Sequence, residues 1–145
     1  MDLTLTVVQY GSFAVSLVAL AALLAAGRTA ERVAAATLFA LMFASPYLAR
    51  EGAVAHALLS GFALAILVFL ALRYERWWLI GAAGLQLVVF STHFAPLLME
   101  QERIWGAVTL RIVLWQALML LCLFALGESR WAPYARGEQH TKRAA

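Results

Sequence analysis

Long apolar runs alternate with short clusters of charged residues along the whole chain. Each run is close to the length of about 20 residues that an α-helix needs to cross a bilayer, and the second run is at the lower limit. The five runs cover residues 3–26, 33–49, 53–72, 77–99 and 104–127. The pattern predicts an all-α integral membrane protein, in which residues 1–127 form a five-helix transmembrane bundle and residues 128–145 form a polar cytoplasmic tail.

The composition agrees with a lipid environment. Hydrophobic residues make up 64% of the chain and charged residues 13%, and the mean hydropathy is +0.83, whereas soluble domains carry about 25% charged residues. The net charge is +3, but the basic residues stand between the apolar runs, as in loops that orient a membrane protein. We therefore expect the lipid bilayer and other membrane protein subunits, or a second copy of the chain, as partners, and no nucleic acid.

Lys and Arg residues are distributed unequally between the two sides of such a bundle, and positive loop residues are retained in the cytoplasm. One side has only Arg50 and Arg103, and the other has eight basic residues, namely Arg28, Arg32, Arg73, Arg76, Arg130, Arg136, Lys142 and Arg143. This distribution predicts the N-terminus outside and the C-terminus inside. If the second run did not cross, the basic residues would divide six to four, so five spans explain the charges better.

Aromatic residues flank the charged clusters, as is typical of side chains at a membrane–water interface. The predicted inner interface has Tyr74, Trp77, Trp78, Trp131 and Tyr134, and the predicted outer interface has Tyr47 and Trp105. We interpret these aromatic residues as interfacial side chains rather than as a cofactor site.

A small polar set lies inside the apolar runs and forms the candidate intramembrane site: His56, Gln86, His93, Arg111 and Gln116. A polar or ionisable side chain in hydrocarbon is costly, so it is a functional hypothesis by default. Gln86 and His93 are seven residues apart and share a helix face, which is expected to point into the bundle. With the predicted orientation, both histidines and Arg111 lie in the outer leaflet. Arg111 is rotated away from Gln116 on its helix, so the two are expected to face different neighbours.

Three interpretations of this set remain open. In the structural one, His93 and Gln86 hydrogen-bond across helices, and Arg111 extends toward lipid phosphates or toward Glu100 and Glu102. In the second, His56 and His93 ligate a haem b and Arg111 pairs with a propionate, since imidazole is a common axial ligand of haem. In the third, His93 and Arg111 form a quinone or proton-relay site.

No catalytic residues are assigned, because the sequence shows no nucleophile with a base, no phosphate-binding loop and no clustered carboxylates. The single cysteine, Cys122, excludes an intrachain disulfide and a cysteine metal cluster, and no metal site is expected. The leading hypothesis is a non-enzymatic accessory, assembly or scaffold component of the cytoplasmic membrane. The alternative is a small redox membrane protein that binds haem b or quinone near the outer face.

Short motifs in the fourth and fifth runs carry a resemblance to a known group. They are Arg76-Trp77-Trp78, Gln86-Leu87, Thr92-His93-Phe94-Ala95 and Trp115. These motifs resemble those of small uncharacterised polytopic inner-membrane proteins of alphaproteobacteria. That group has no known activity, so the resemblance implies a multi-pass protein of the bacterial cytoplasmic (inner) membrane and no particular chemistry.

Overall fold

The computed structural model describes residues 3–94 and 104–131, and within them it leaves out the side chains of residues 3–9, 49, 51, 53, 104–105, 107–108 and 129–130. Five α-helices and no strand occur in these ranges, which confirms the all-α class. The helices are α1 (Leu3–Ala26), α2 (Thr29–Glu51), α3 (Ala53–Tyr74), α4 (Trp77–Ser91) with a following 3-10 turn (Thr92–Phe94), and α5 (Ile104–Trp131).

Three helices are longer than their predicted spans, and in α3 the difference is only the last turn, which continues from residue 72 to Tyr74. Helix α2 begins at Thr29 instead of residue 33, because Glu31 lies in its first turn and accepts a hydrogen bond from the Arg28 backbone N–H. It also continues through Pro46, as membrane helices often do. Helix α5 continues to Trp131, so Glu128, which is helical and buried, belongs to the bundle and not to the predicted polar tail. Residues 95–99 of the fourth predicted span and residues 132–145 of the tail lie outside the described residues.

The helices pack as a closed ring. Each of the first three packs against the next one in the chain, α4 packs against α5, and α5 packs against α1. Because each connection between neighbours reverses the chain direction, α1 and α5 run parallel to each other. The ring encloses a core of fully buried large side chains that includes Leu20, Leu23, Leu38, Leu67, Trp78, Leu79, Leu118 and Met119.

Two of the short turns depend on unusual backbone positions. A Cβ atom at Gly27 would meet the Leu23 carbonyl oxygen and the Glu31 Cβ, so only glycine allows α1 and α2 to join this closely. Glu75 ends α3 in the left-handed conformation with φ 50°, and its N–H donates to the Ala71 carbonyl oxygen at 3.0 Å. These turns bring the start of α2 and the start of α4 to the same end of the ring.

The outer surface of the ring is apolar. On α3, the outward stripe consists of side chains between 64% and 76% exposed, namely Val54, Leu58, Phe62, Phe69 and Leu72. Helices that are hydrophobic all round are typical of lipid surroundings. Three helical segments of the described chain are long and apolar enough to cross a membrane: Val54–Tyr74, Trp77–Phe94 and Thr109–Glu128. In α1, the apolar segment among the residues whose side chains the structure describes is Tyr10–Ala26.

Candidate functional site

Polar side chains gather at opposite ends of the ring. The antiparallel packing places the end of α2, the start of α3, the end of α4 and the start of α5 together, and we call this end, with His56 and His93, the histidine end. The opposite end, with the start of α2 and the turn between α3 and α4, contains Glu31 and Arg76 and is called the ion-pair end.

A cavity of about 290 Å³ lies at the histidine end. All five helices or their terminal turns contribute to its wall. The residues that line it are Ser12, Leu41, Met42, Ser45, Pro46, His56, Ser60, Val89, His93, Arg111, Ile112 and Trp115. The wall thus combines apolar side chains with hydrogen-bond donors and one fixed positive charge, and no Asp or Glu is among these lining residues.

The two histidines are in direct contact in the cavity wall. Their ring centroids are 4.8 Å apart, and the rings are tilted by 44°. The Ser45 Oγ lies 2.7 Å from the His56 Nε2, which joins α2 to α3 by a hydrogen bond. A serine nucleophile and its histidine base make such a contact, but catalysis also uses a third group that orients the base. Since no described carboxylate is paired with His56, we interpret the contact as an interhelical hydrogen bond.

Arg111 is held by Thr92, which follows the last residue of α4. The Arg111 Nε donates to the Thr92 Oγ1 at 3.1 Å, and its Nη2 donates to the Thr92 carbonyl oxygen at 3.4 Å. Thr92 Oγ1 is itself fixed, because it donates to the Val89 carbonyl oxygen at 2.6 Å. The buried salt bridge between Glu31 and Arg76 lies at the opposite end of the ring, and no described carboxylate forms a salt bridge with Arg111.

Gln86 lies deeper in the ring and does not line the cavity. Its Nε2 donates to the Ser60 Oγ at 3.1 Å and to the Ser60 carbonyl oxygen at 3.3 Å. Its Oε1 is buried and accepts no hydrogen bond from the described residues. Because Ser60 lines the cavity, Gln86 supports the wall from behind.

Gln116 faces α1 rather than the cavity. Its Nε2 donates to the Ser12 Oγ. The preceding residue on α5, Trp115, donates from its Nε1 to the Ser16 Oγ at 2.9 Å. Ser16 Oγ in turn donates to the Ser12 carbonyl oxygen at 2.9 Å. This network closes the ring between α1 and α5, and it places Gln116 and Arg111 against different neighbours, as their rotation on the helix predicts.

The structure therefore brings together three members of the predicted polar set, His56, His93 and Arg111, and connects Gln86 and Gln116 to the same end through serines. Helical spacing places Ser60 one turn after His56 on an inward polar stripe. Sequence reasoning did not assign the other polar partners in the site, which are Ser12, Ser16, Ser45, Thr92 and Trp115. The available signal was the same spacing, since Ser12 lies one turn before Ser16.

The ion-pair end contains charges that the sequence placed in loops. The Arg76 Nη1 donates to the Glu31 Oε1 at 2.6 Å, and the two side chains are 2% and 0% exposed. The other Glu31 oxygen, Oε2, accepts from the Arg28 N–H at 3.0 Å.

Trp78 was predicted at the interface, but it is 1% exposed and fills the core, whereas Trp77 is 70% exposed.

The two imidazoles do not fit a haem between them. Metal–histidine bonds are about 2 Å long, so two histidines on opposite faces of a haem iron hold their ring centres about 6 Å apart. The His56 and His93 rings are closer than this, at 4.8 Å, and the His56 Nε2 already bonds to Ser45. In the described part of the chain, no group of three or more His, Cys, Asp or Glu side chains is placed to hold a metal ion.

Comparison with known proteins adds no further constraint on the site. No protein family, no curated protein and no solved structure matches this chain.

Proposed function

We propose that the chain is a multi-pass membrane protein that binds the polar end of a small lipid-soluble molecule in the cavity at the histidine end. The observation that carries this proposal is the cavity itself, which all five helices build and which holds Arg111, His56 and His93 beside apolar side chains. Ligand sites are mostly apolar clefts of about 300–1,000 Å³ with a few convergent polar groups. The volume of about 290 Å³ suits one ring or one headgroup.

The polar wall favours a molecule with oxygen acceptors. Arg111 supplies guanidinium N–H groups, and imidazole and hydroxyl groups add further donors. A quinone headgroup presents carbonyl oxygens, and an acidic headgroup presents charged ones, so both satisfy this requirement. Binding needs no reaction, and the proposal therefore agrees with a non-enzymatic accessory or assembly component. Association with other membrane subunits, or with a second copy, stays part of that proposal.

Five spans with the N-terminus outside are the topology that we propose. The helix lengths support five spans. Helices α1 and α2 have 24 and 23 residues, which corresponds to about 35 Å at 1.5 Å per residue, and this is comparable with the lengths of α3 and α5. The charges of α2 lie in its first and last turns, at Glu31, Arg32, Arg50 and Glu51. The excess of Lys and Arg on the ion-pair side then puts the cavity in the outer leaflet, and the resemblance noted above favours a bacterial inner membrane.

Reporter fusions test this topology. A reporter after Ala145 or Glu75 should be cytoplasmic, and one after Gly52 should be outside. A C-terminal reporter outside the cell would contradict the orientation, and equal locations after Gly52 and Glu75 would contradict the third span.

Ligand binding is tested by extracting the purified protein. We expect mass spectrometry of the extract to show one lipid-soluble species at about one molecule per chain, because the helices enclose one cavity at the histidine end. Ile112→Trp places a large ring at the cavity wall, and Ile80→Trp is the matched control, since Ile80 is similarly exposed, at 52% against 46%, and does not line the cavity.

The control should keep the species and Ile112→Trp should lose it, while both variants elute as folded protein. Equal retention by both variants, or an extract from the unmodified protein without any stoichiometric species, would contradict the proposed function.

A further inference from the structure

We infer that the molecule bound in the cavity carries one negative charge on oxygen and that Arg111 is its counter-ion. This inference rests on the proposed function, because it assigns the chemical class of the ligand to the same cavity. The shared chemistry is an oxyanion attached to an acyl chain, which is found both in a fatty-acid carboxylate and in a phospholipid phosphodiester.

The first observation is the charge of Arg111 itself. The side chain is half-buried within a segment that is apolar enough to cross a membrane, and no Asp or Glu of the described chain forms a salt bridge with it. Charged residues inside membranes are almost always paired or exposed to water. A neutral quinone leaves the guanidinium charge without a counter-charge, whereas an oxyanion neutralises it.

The second observation is the orientation of the guanidinium group. Thr92 takes the Nε and Nη2 donors through its hydroxyl and carbonyl oxygens, and Nη1 makes no hydrogen bond to a described residue. Guanidinium binds carboxylate and phosphate oxygens by parallel N–H donors of fixed geometry. Thr92 thus acts as a positioning residue that holds Arg111 at the cavity wall with donors still available.

The third observation is the balance of charge and polarity around the cavity. Arg111 is the only Lys or Arg among the lining residues, and no lining residue is acidic, so one negative charge on the ligand balances the wall. Leu41, Met42 and Ile112 provide an apolar surface beside these donors. The combination selects an amphiphile over a free inorganic anion.

Matched pairs of acids and neutral molecules test the inference. Purified protein in nonionic detergent is titrated with oleate or methyl oleate, and with dioleoylphosphatidylglycerol or dioleoylglycerol, while the melting temperature is followed. A ligand that binds only the folded state raises this temperature. We expect at least one acid to stabilise the protein. The neutral molecule with the same acyl chains should bind with at least tenfold lower affinity. The acid that binds more tightly identifies the source of the oxyanion.

Three variants assign the effect to the site. Arg111→Gln and Thr92→Val should each weaken binding of the acid by tenfold or more, the second without removing any charge. Arg73→Gln is the control, because Arg73 is exposed and outside the cavity, and it should bind like the unmodified protein.

Equal stabilisation by the neutral molecules, or by a short-chain ubiquinone, would overturn the inference. The proposed function would still stand if Ile112→Trp abolished the binding of these neutral molecules. If no molecule occupied the cavity, both the inference and the proposed function would fail. Acid selectivity that appeared only after Glu100→Gln and Glu102→Gln would also overturn the inference, since the chain's own carboxylates would then neutralise Arg111.

Discussion

Removing one member of the Glu31–Arg76 pair should strongly destabilise the bundle. The two side chains are 0% and 2% exposed and meet at 2.6 Å, so Arg76→Met leaves a buried carboxylate whose charge has lost its partner. Breaking a buried pair in this way costs about 3–5 kcal/mol. The Glu31 Oε2 keeps its hydrogen bond from the Arg28 N–H, so we expect the free energy of unfolding to fall by about 3 kcal/mol. Glu31→Leu should cost a similar amount, because it removes the Glu31 carboxylate from the buried Arg76 guanidinium group.

The double variant Glu31→Leu/Arg76→Met distinguishes a lost ion pair from general damage to the turns. Apolar replacement of both members of a buried pair is often neutral, so the double variant should be more stable than either single variant. The free energy of unfolding is measured for all four proteins in the same mild detergent. Arg32→Met is the matched control, since Arg32 lies beside Glu31 but is exposed, and its loss should stay within about 0.5 kcal/mol.

Two results would contradict a stabilising ion pair between Glu31 and Arg76. If the single variants lost less than about 1 kcal/mol, the pair would be no better than an exposed one. If the effects of the two single changes simply added in the double variant, Glu31 and Arg76 would not be coupled, and the two turns at the ion-pair end would be held by other contacts.

Three further substitutions test the packing and the polar contacts of the ring. Gly27→Ala should lower the free energy of unfolding by about 1–3 kcal/mol, because its Cβ would meet the Leu23 carbonyl oxygen; an unchanged value would show that the turn can widen freely. Trp115→Phe removes the hydrogen bond to Ser16 and should cost about 0.6–1.7 kcal/mol in the same assay, with no change as the opposing result. His93→Gln should be tolerated better than His93→Leu, because the amide keeps a donor and an acceptor; equal folding yields of the two variants would contradict a hydrogen-bonding role of this ring.

The sequence predicted the helices better than their contacts. Apolar runs show where helices lie, and helical spacing put Gln86 on the inward face, where its side chain is 0% exposed. The same runs end at charged residues, so Glu31 and Arg76 looked like loop residues. Their contact joins positions 45 residues apart, and periodicity along one helix contains no information on which two turns meet.

The partners in the cavity were hidden for a related reason. The motif that contains Thr92 does not indicate a contact with Arg111, and Thr92 positions Arg111 only because α4 ends in a 3-10 turn beside the start of α5. The contact between the two histidine rings likewise depends on the packing of α3 against α4. Depth along each helix was predictable from the rise per residue, but the rotation of one helix against another follows from packing of the whole ring.

A crystal structure of protein that was purified with its bound lipids and crystallised in a lipidic mesophase would show whether an amphiphile occupies the cavity at the histidine end. We expect continuous density for an elongated molecule in the cavity, with an oxygen atom at hydrogen-bond distance of about 3 Å from the Arg111 guanidinium group and an apolar part against Ile112. Water-sized peaks alone in a cavity with the same wall, or a molecule whose polar end points away from Arg111 and the two histidines, would contradict it.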